Sequence, residues 1–303
     1  MQYKIISRIA PTPSGFLHPG NVYNFLLIYL FTRTLDGILY LRIDDYDLVR
    51  YRSEYTENIF RVLDMLDIDF DDGASCVAEF ESKFSSKFRA SSYENALKRL
   101  ENLEVCYACE CSHSMKDSFE NGIYKQICLN KNLKFIPDKT CIRLHVNSDE
   151  ALDVGCDLAK FGFANLNQSK SINLAKSMGD FMIYKKDGSA AYNFASLIDD
   201  ERLGVNLLVR GEDLLECSAA QKYMANLLGL NFKNANFIHH SLLKSGDKKL
   251  SKTSNAPAVN LKDGAKIYYK FLAKKLGLNE AKCDTLSNLL EAFKENISHI
   301  KAL

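Results

Sequence analysis

Apolar residues are grouped along the chain into short blocks that predict strands and longer blocks that predict helices. Residues 3–9 form a short apolar run typical of a buried strand, and prolines and a glycine then interrupt regular structure across residues 11–15. The sixteen residues after Phe16 are strongly apolar, which predicts a helix that begins near Gly20 or Asn21. The chain therefore opens with a strand, a Pro/Gly-rich loop and a helix.

The same alternation continues through the first hundred residues. Residues 37–43 form a second apolar run typical of a buried strand. Residues 53–66 place apolar side chains at i, i+3, i+4 and i+7, the spacing of an amphipathic helix, with Ser53 in position to cap it. Residues 93–100 repeat that spacing. Strands and helices in alternation predict an α/β fold with a parallel sheet and crossover helices.

The second half of the chain returns to this pattern after a less regular stretch. Lys186-Asp187-Gly188 separates two apolar runs within residues 179–195, which predicts a hairpin turn. The other elements predicted by the pattern are strands at 141–146, 207–210 and 237–240 and helices at 218–228, 263–275 and 285–293.

Composition and charge add the broad class of the protein and the kind of partner. The 303 residues are 47% hydrophobic and 25% charged, and no run approaches the roughly 18 apolar residues of a membrane span. We expect a cytoplasmic monomer without a membrane segment or a secretory signal. Residues 241–303 hold twelve lysines against six acidic residues, a balance of +6 in a chain of net charge +1. That basic end suits a partner with phosphates, although a lysine-rich solvated surface would look the same.

The nine cysteines indicate reduced thiols or a metal site rather than disulfides. Cys109 and Cys111 form a C-x-C pair, and Cys128 follows seventeen positions later, a spacing typical of metal ligands. Cys106 and His113 are candidates for the fourth ligand, and a site without metal is the alternative. The other five cysteines are expected to be small core residues: 76, 141, 156, 217 and 283.

The loop after the first strand is a candidate phosphate site. A helix that starts there presents free backbone N–H groups and the positive end of its dipole to the loop. Strand, loop and helix alone describe an ordinary βα turn, but His18 adds a donor side chain and Gly20 an open backbone. Acidic residues at 44–47 follow the second strand, at the edge where open α/β sheets bind ligands.

Two motifs separated by more than two hundred residues turn this candidate into a specific hypothesis. They are Arg8-x-Ala-Pro-x-Pro-Ser-Gly-x-Leu-His-x-Gly20 and Lys249-Leu-Ser-Lys-Thr253. In this order they resemble the two signatures of the glutamyl branch of class I aminoacyl-tRNA synthetases. Asp187-Gly-x-x-Ala-Tyr192 and Val209-Arg-Gly-x-Asp-Leu-Leu215 are similar to two further motifs of that family.

The resemblance implies a fold and an activity. The expected fold is α/β, a Rossmann-like class I synthetase catalytic domain with an inserted zinc-containing subdomain and a helical C-terminal end. Its expected segments are 1–75 and 179–240 as the halves of the catalytic fold, 76–178 as the insertion, and 241–303 as the signature loop and helical end. The expected reaction activates L-glutamate with ATP and Mg²⁺ and then transfers it to tRNA.

The resemblance also assigns roles to individual residues. His18 and Lys252 would be catalytic. Glutamate would bind to Arg8, Ala10, Pro11, Thr12, Asp44, Tyr192 and Arg210. ATP would bind to Gly15, His18, Gly20, Asn21, Lys249, Ser251 and Lys252. The sequence departs from the family where Asp44 replaces a glutamate that contacts the substrate amino group and where Asn21 replaces a second histidine.

One branch of the family, which esterifies glutamate to queuosine in tRNA(Asp), resembles the chain most. That branch carries C-x-C…Tyr-x-x-x-Cys, which Cys109, Cys111, Tyr124 and Cys128 match, and this implies zinc with Tyr124 as fourth ligand. Ala256-Pro-Ala258 after the second signature also resembles this branch, and we expect the protein to function without the helical anticodon-binding region of longer relatives. The alternatives are a truncated glutamyl-tRNA synthetase that charges tRNA(Glu) and a catalytically dead paralogue that binds tRNA.

Overall fold

The computed structural model describes residues 4–112, 114–157, 159, 163, 169–245, 248–249 and 257–300. The helices in this part of the chain are α1 (Pro19–Thr34), α2 (Ser53–Met65), α3 (Val77–Glu79), α4 (Ala90–Asn102), α5 (Leu174–Ser177), α6 (Tyr192–Leu203), α7 (Leu215–Leu228), α8 (Lys266–Lys275) and α9 (Leu286–Glu295). The strands are β1 (Ile6–Ile9), β2 (Ile38–Leu41), β3 (Cys106–Cys109), β4 (Phe119–Glu120), β5 (Ile123–Tyr124), β6 (Cys141–Leu144), β7 (Ala151–Asp153), β8 (Ser171–Asn173), β9 (Phe181–Tyr184), β10 (Leu207–Gly211), β11 (Asn236–His240), β12 (Lys244–Ser245) and β13 (Lys248–Lys249).

Two parallel strand pairs form the centre of the fold. β1 pairs with β2 across α1, with Ile6 opposite Ile38. β10 pairs with β11 across α7, with Leu207 opposite Asn236. Asn206 joins the two pairs, because its N–H donates to the Ile6 carbonyl at 3.0 Å and its own carbonyl accepts from the Asn236 N–H at 2.9 Å. The predicted parallel strands with crossover helices are confirmed.

Helix α1 lies between these strands and the C-terminal helices α8 and α9. Its residues 25–32 are all buried, as expected for a helix that is apolar on every side. Phe31 meets Phe293 of α9 edge to face, with ring centroids 5.3 Å apart. The helix begins at Pro19, one residue before the predicted start, because proline suits the first helical turn, where its missing N–H has no partner to lose.

Helix α2 buries its predicted apolar face, but its predicted cap is wrong. Arg52 occupies the N-cap position, and no side chain there accepts a hydrogen bond from the helix. Ser53 is the first helical residue instead, because the Arg52 guanidinium bonds the carbonyls of Val49 and Tyr51 and turns the chain one position earlier. Helices α7, α8 and α9 match the predicted C-terminal helices within three residues at each end.

The predicted turn at residues 186–188 is present at the end of β9. The Lys185 N–H donates to the Ser189 carbonyl at 2.8 Å, and Gly188 supplies the positive φ of 79° that the turn requires. The second apolar run is a helix rather than a strand, because after a single bridge from Tyr184 to Ala190 the chain enters α6. Burial of α6 residues in the core therefore outweighs the local preference of the first residues of α6 for a strand.

The segment between the two parallel pairs contains an antiparallel sheet in the order β3-β6-β9. Cys109 in β3 lies directly opposite Cys141 in β6. The short hairpin β4-β5 covers this end of the sheet, where five buried residues form a small core of their own: Cys109, Cys111, Tyr124, Cys128 and Cys141. Among the described residues, no helix combines the length and the apolar character required to cross a membrane.

Candidate active site and cysteine cluster

The start of α1 is fixed by a reciprocal cap that involves three of the predicted nucleotide residues. The His18 Nδ1 accepts a hydrogen bond from the Gly20 N–H at 3.1 Å, and the Asn21 Oδ1 accepts one from the His18 N–H at 3.0 Å. This arrangement is a capping box. The predicted order of strand, loop and helix is confirmed, and Asn21 has a clear local role where the resembled family has histidine.

A cavity of about 230 Å³ opens between the start of α1 and the ends of β10 and β11. His18, Gly20 and Asn21 line one side, and Gly211 and His240 line the other. A Cβ atom on Gly211 would approach Leu242 to 2.8 Å and collide with the Asp213 carboxylate, so glycine keeps this side open. The predicted nucleotide residues with described side chains therefore share one cavity, apart from Gly15 in the loop ahead of it.

The second signature lies largely outside the described residues. Ser251 and Lys252 are not among them, and Lys249 is described only through its backbone in β13. Their predicted roles remain predictions.

Arg8 and Arg42 are held by one carboxylate at the next part of the site. The Asp200 Oδ1 accepts from the Arg8 Nε and from an Arg42 terminal nitrogen, both at 2.8 Å. All three side chains are buried, which makes each of these charge-assisted hydrogen bonds stronger than a surface pair. The sequence predicted Arg8 here but assigned no role to Arg42.

Asp44 lies in the same group but is already paired. The Arg42 Nε donates to its Oδ1 at 2.7 Å and a terminal nitrogen donates to its Oδ2 at 3.1 Å. Burial raises the pKa of the Asp44 carboxyl, and the Arg42 guanidinium offsets part of that effect. The predicted contact of Asp44 with the substrate amino group stays a prediction, since both of its oxygens are held by Arg42.

The remaining residues of the predicted glutamate pocket come from the loop and from β10. The Pro11 carbonyl accepts from the Asp44 N–H at 2.8 Å, which ties the loop that carries Ala10 and Thr12 to the end of β2. The exposed Tyr192 begins α6, and the charges of Arg8, Asp44 and Arg210 all act on its hydroxyl. The structure therefore brings the predicted glutamate residues together.

Arg210 is the least satisfied charge in the site. It is buried at the end of β10, and one terminal nitrogen donates to the Gln221 Oε1 at 2.9 Å and to the Ser218 Oγ at 3.3 Å. Its Nε and its other terminal nitrogen are buried without a hydrogen-bond partner in the described part of the chain. Burial, and then the nearby positive charge of Arg8, lower the pKa of Arg210. A carboxylate bound here would satisfy both donors and relieve that repulsion.

The three predicted cysteine ligands converge in the antiparallel segment. The sulfur atoms of Cys109, Cys111 and Cys128 all lie within 4.8 Å of one another. The Tyr124 hydroxyl lies 3.3 Å from the Cys109 sulfur and 3.5 Å from the Cys111 sulfur. The four residues that the resemblance assigned to zinc therefore form one buried group.

The structure gives different outcomes for the two other candidates for the fourth ligand, Cys106 and His113. Cys106 is on the opposite face of β3 and packs against the larger core, since side chains alternate along a strand. His113 lies outside the described residues. Cys76 is exposed and Cys217 half-buried, so their assignment to the core is wrong, while Cys156 and Cys283 are buried.

Cys141 and Arg143 belong to the cluster, although the sequence placed Cys141 among scattered core residues. The Arg143 Nε donates to the Cys109 sulfur at 3.2 Å. A hydrogen bond from Cys141, with further ones from Tyr124 and Arg143, outweighs burial and lowers the pKa of the Cys109 thiol to about 4. The thiolate is the form that binds metal.

Comparison with known proteins agrees with this geometry. The family model described as tRNA synthetases class I (E and Q), catalytic domain, matches residues 4–270. The chain is 34% identical over 256 residues to glutamyl-Q tRNA(Asp) synthetase of Pseudomonas syringae pv. syringae (strain B728a), covering 84% of this chain and 79% of that one. It is 31% identical over 257 residues to glutamate–tRNA ligase 1 of Anaplasma marginale (strain St. Maries), covering 82% of this chain and 54% of that one.

Solved structures show the same fold at lower identity. Glutamate–tRNA synthetase of Elizabethkingia anophelis superposes with a TM-score of 0.75 at 20% identity, over 95% of this chain and 65% of that one. A glutamate tRNA ligase from Elizabethkingia meningosepticum gives 0.76 at 20% identity, over 98% and 66%. The chain thus spans just under two thirds of these solved relatives. It belongs to the class I tRNA synthetases of the E and Q type, a family of ligase-type enzymes, and it has the fold of their catalytic domain.

Proposed function

We propose that this protein activates L-glutamate with ATP and transfers it to the cyclopentene diol of queuosine at the wobble position of tRNA(Asp). The observation that carries the proposal is the buried Arg210 with two unpartnered donors next to Arg8. The names of its relatives from Pseudomonas support the queuosine acceptor.

Glutamate fits the site because it carries two carboxylates and the site carries two arginines. Asp200 holds Arg8 by its Nε, a contact that does not involve the terminal nitrogens of the guanidinium. Arg8 is assigned to the side-chain carboxylate and Arg210, with Tyr192, to the rest of the amino acid. Bidentate recognition of this kind discriminates strongly against an amide, which would leave charged donors unpaired.

Activation requires positioning rather than a protein nucleophile. The α-carboxylate of glutamate attacks the α-phosphorus of ATP, and pyrophosphate leaves. His18, Gly20 and Asn21 at the start of α1 line the cavity assigned to ATP, where the positive end of the helix dipole favours phosphate. Class I synthetases use ATP with Mg²⁺, and the ion neutralises charge on the pyrophosphate when bound. Lys252 is assigned to the phosphates.

Zinc is proposed for the cysteine cluster as a structural ion. A tetrahedral site with zinc–sulfur bonds of about 2.3 Å requires sulfur atoms about 3.8 Å apart. The Cys111 and Cys128 sulfurs are 3.7 Å apart, which fits that geometry for this pair, and all three sulfurs lie within 4.8 Å of one another. Cys109, Cys111, Cys128 and Tyr124 would hold the ion and so fasten β3 to the β4-β5 hairpin.

Pyrophosphate exchange and acceptor specificity test the proposal. Labelled pyrophosphate should enter ATP with glutamate and without tRNA, and neither glutamine nor aspartate should replace glutamate. Lys252→Ala should slow exchange by about two to four orders of magnitude, as expected when a charge that stabilises the transition state is removed, while Lys262→Ala should not. No exchange under any condition would favour a dead tRNA-binding paralogue.

The acceptor decides between the two synthetase hypotheses. Transfer should require tRNA(Asp) with queuosine and should survive removal of its 3′-terminal adenosine, because the ester forms in the anticodon loop. An unmodified transcript should accept nothing, since guanine has no diol. Charging of tRNA(Glu) that stops when its 3′ end is trimmed would establish the truncated glutamyl-tRNA synthetase instead.

A further inference from the structure

A cavity of about 430 Å³ opens beside the cysteine cluster, between β9 and the β4-β5 hairpin. A metal ion held by four protein ligands would fill only a small part of it. Its volume falls in the range of small-molecule sites and is larger than the cavity assigned to ATP. The cavity therefore has room for a ligand of its own.

The inner walls of this cavity are largely apolar and aromatic. The rings of Phe119 and Tyr124 lie 5.5 Å apart, and the Arg143 guanidinium lies 3.9 Å from the centre of the Tyr124 ring. Met178 and Met182 are half-buried and add polarizable thioether surface. Aromatic faces and arginine planes are the surfaces on which unpaired nucleobases stack.

The rim of the cavity is basic. Lys186 and Lys185 line it, and each Nζ donates one hydrogen bond to a backbone carbonyl. The Lys185 Nζ also lies 3.9 Å from the Asp187 carboxylate, which neutralises part of its charge, whereas the Lys186 contact leaves its charge unneutralised. The acidic residue in the lining is Asp180, whose carboxylate is buried and accepts from Tyr107 and from the Val146 N–H. Lys186 therefore leaves a positive charge at the entrance, which suits a phosphodiester.

The cavity adjoins the predicted glutamate pocket. The Lys185 Nζ donates to the Tyr46 carbonyl at 2.9 Å, and the Tyr46 ring lies 6.3 Å from the ring of Tyr192. A residue on the cavity rim and a residue of the glutamate pocket therefore contact the same tyrosine. A polynucleotide that presents one nucleotide to glutamate would place a neighbour at this rim.

We propose that this cavity binds an unpaired nucleobase of the tRNA, from a nucleotide adjacent to the one that receives glutamate. The base stacks against Phe119 and the thioethers, and its phosphate meets Lys185 and Lys186. The inference rests on the proposed acceptor, the anticodon loop of tRNA(Asp), whose bases are unpaired and available for stacking.

Binding of an anticodon stem-loop RNA tests the assignment. Wild type and Phe119→Leu, which keeps an apolar side chain but removes the stacking face, are titrated with stem-loops that carry one abasic site at each loop position in turn. For one position next to the wobble nucleotide, the stem-loop with the abasic site should bind wild type about tenfold more weakly than the intact stem-loop does. The same abasic site should cause no further loss of affinity in Phe119→Leu. Lys186→Ala should weaken every stem-loop about fivefold, whereas Phe88→Ala and Lys233→Ala, both at exposed residues elsewhere, should not.

Pyrophosphate exchange separates this inference from the proposed function. All four variants should keep glutamate-dependent exchange within twofold of wild type, because the cavity lies outside the assigned ATP and glutamate contacts. If every abasic site weakened binding to Phe119→Leu by the same factor as binding to wild type, the nucleobase assignment would be overturned. So would a wild-type protein that exchanges pyrophosphate but does not bind the stem-loop. Loss of exchange in wild type itself would refute the proposed activation step instead.

Discussion

One carboxylate, that of Asp200, orients two arginines at the candidate glutamate pocket. Its Oδ1 accepts from both Arg8 and Arg42, and Arg42 in turn holds Asp44. Asp200→Asn would remove the charge that fixes Arg8 while keeping the shape of the side chain. We expect the KM for glutamate in pyrophosphate exchange to rise about ten- to a hundredfold, the effect of losing a charge-assisted hydrogen bond.

The matched control for this prediction is Asp69→Asn. Asp69 pairs with Arg33 at the surface, where Asp71 holds the same arginine, so glutamate kinetics should not change. If Asp200→Asn leaves the KM for glutamate unchanged, Arg8 does not depend on this carboxylate for its position.

The sequence identifies residues whose type is unusual for their place in the pattern. Arginine at the end of a strand, as at Arg210, and cysteines in a C-x-C pair are examples. It does not identify Arg42 or Cys141, because their partners come from distant segments. Cys141 meets Cys109 through the register of β3 and β6, and Arg42 meets Asp200 through the return of α6 to β2. The spacing of residues within a short segment cannot predict either of these contacts.

At the scale of elements, the cysteine cluster should fasten the β4-β5 hairpin to the sheet by binding zinc. About one zinc per chain should remain after gel filtration of wild type. Cys109→Ser should lose it, because two sulfur ligands and the Tyr124 oxygen would remain of the four ligands that a structural zinc site requires, whereas Cys76→Ser at an exposed site should keep it. Metal analysis by mass spectrometry provides the measurement, and equal zinc in both variants would remove the proposed site.

Strand β11 carries two buried histidines that should make stability depend on pH. Burial, followed by the charge of Arg210, lowers the pKa of His239 to about 3, and burial also lowers the pKa of His240. Below about pH 6.5 the unfolded chain takes up a proton at His239 and the folded chain does not, and the lowered pKa of His240 acts in the same direction. Their contribution is therefore fully present above that pH and is lost as the pH falls.

Urea unfolding at a series of pH values checks this expectation. The free energy of unfolding should fall by up to about 1.4 kcal/mol per pH unit from His239 between about pH 6.5 and pH 5, with a contribution of the same sign from His240. His239→Asn should show a shallower slope. An unchanged slope in that variant would mean that His239 is not the group whose protonation opposes folding.

In most places the spacing of apolar residues correctly predicts whether a segment is a helix or a strand. The exceptions have local causes. The strands β1, β2, β10 and β11 and the helices that connect them are predicted because burial imposes the period. The start of α2 differs because an arginine side chain, rather than Ser53, organises its entry. The run after residue 188 differs because packing of α6 against the core decides between two conformations that local preference leaves open.

At the scale of the whole molecule, charge is divided unevenly between the C-terminal end and the rest. Residues 241–303 carry a balance of +6, whereas the remainder of the chain is mildly acidic. Binding of tRNA should therefore weaken steeply as salt rises from about 50 to 200 mM, while tRNA-free pyrophosphate exchange should change less than about twofold. Filter binding and exchange at matched salt concentrations give both quantities.

A triple variant tests whether the basic end is the cause. Replacing Lys262, Lys274 and Lys294, all exposed, by alanine should reduce the slope of log affinity against log salt by about 0.7 to 0.9 for each of these lysines that binds a phosphate. Replacing Lys98, Lys176 and Lys233, exposed in the rest of the chain, should change it less. Equal slopes in the two variants would place the tRNA elsewhere.

The position of α1 between the sheet and helices α8 and α9 has a consequence for synthesis on the ribosome. This largely apolar helix leaves the exit tunnel early, yet the helices that cover it follow about 230 residues later. At about 5–20 residues per second, its surface waits roughly ten seconds to a minute for those partners. A nascent chain of this protein should therefore be a ligand for chaperones until its last helices emerge.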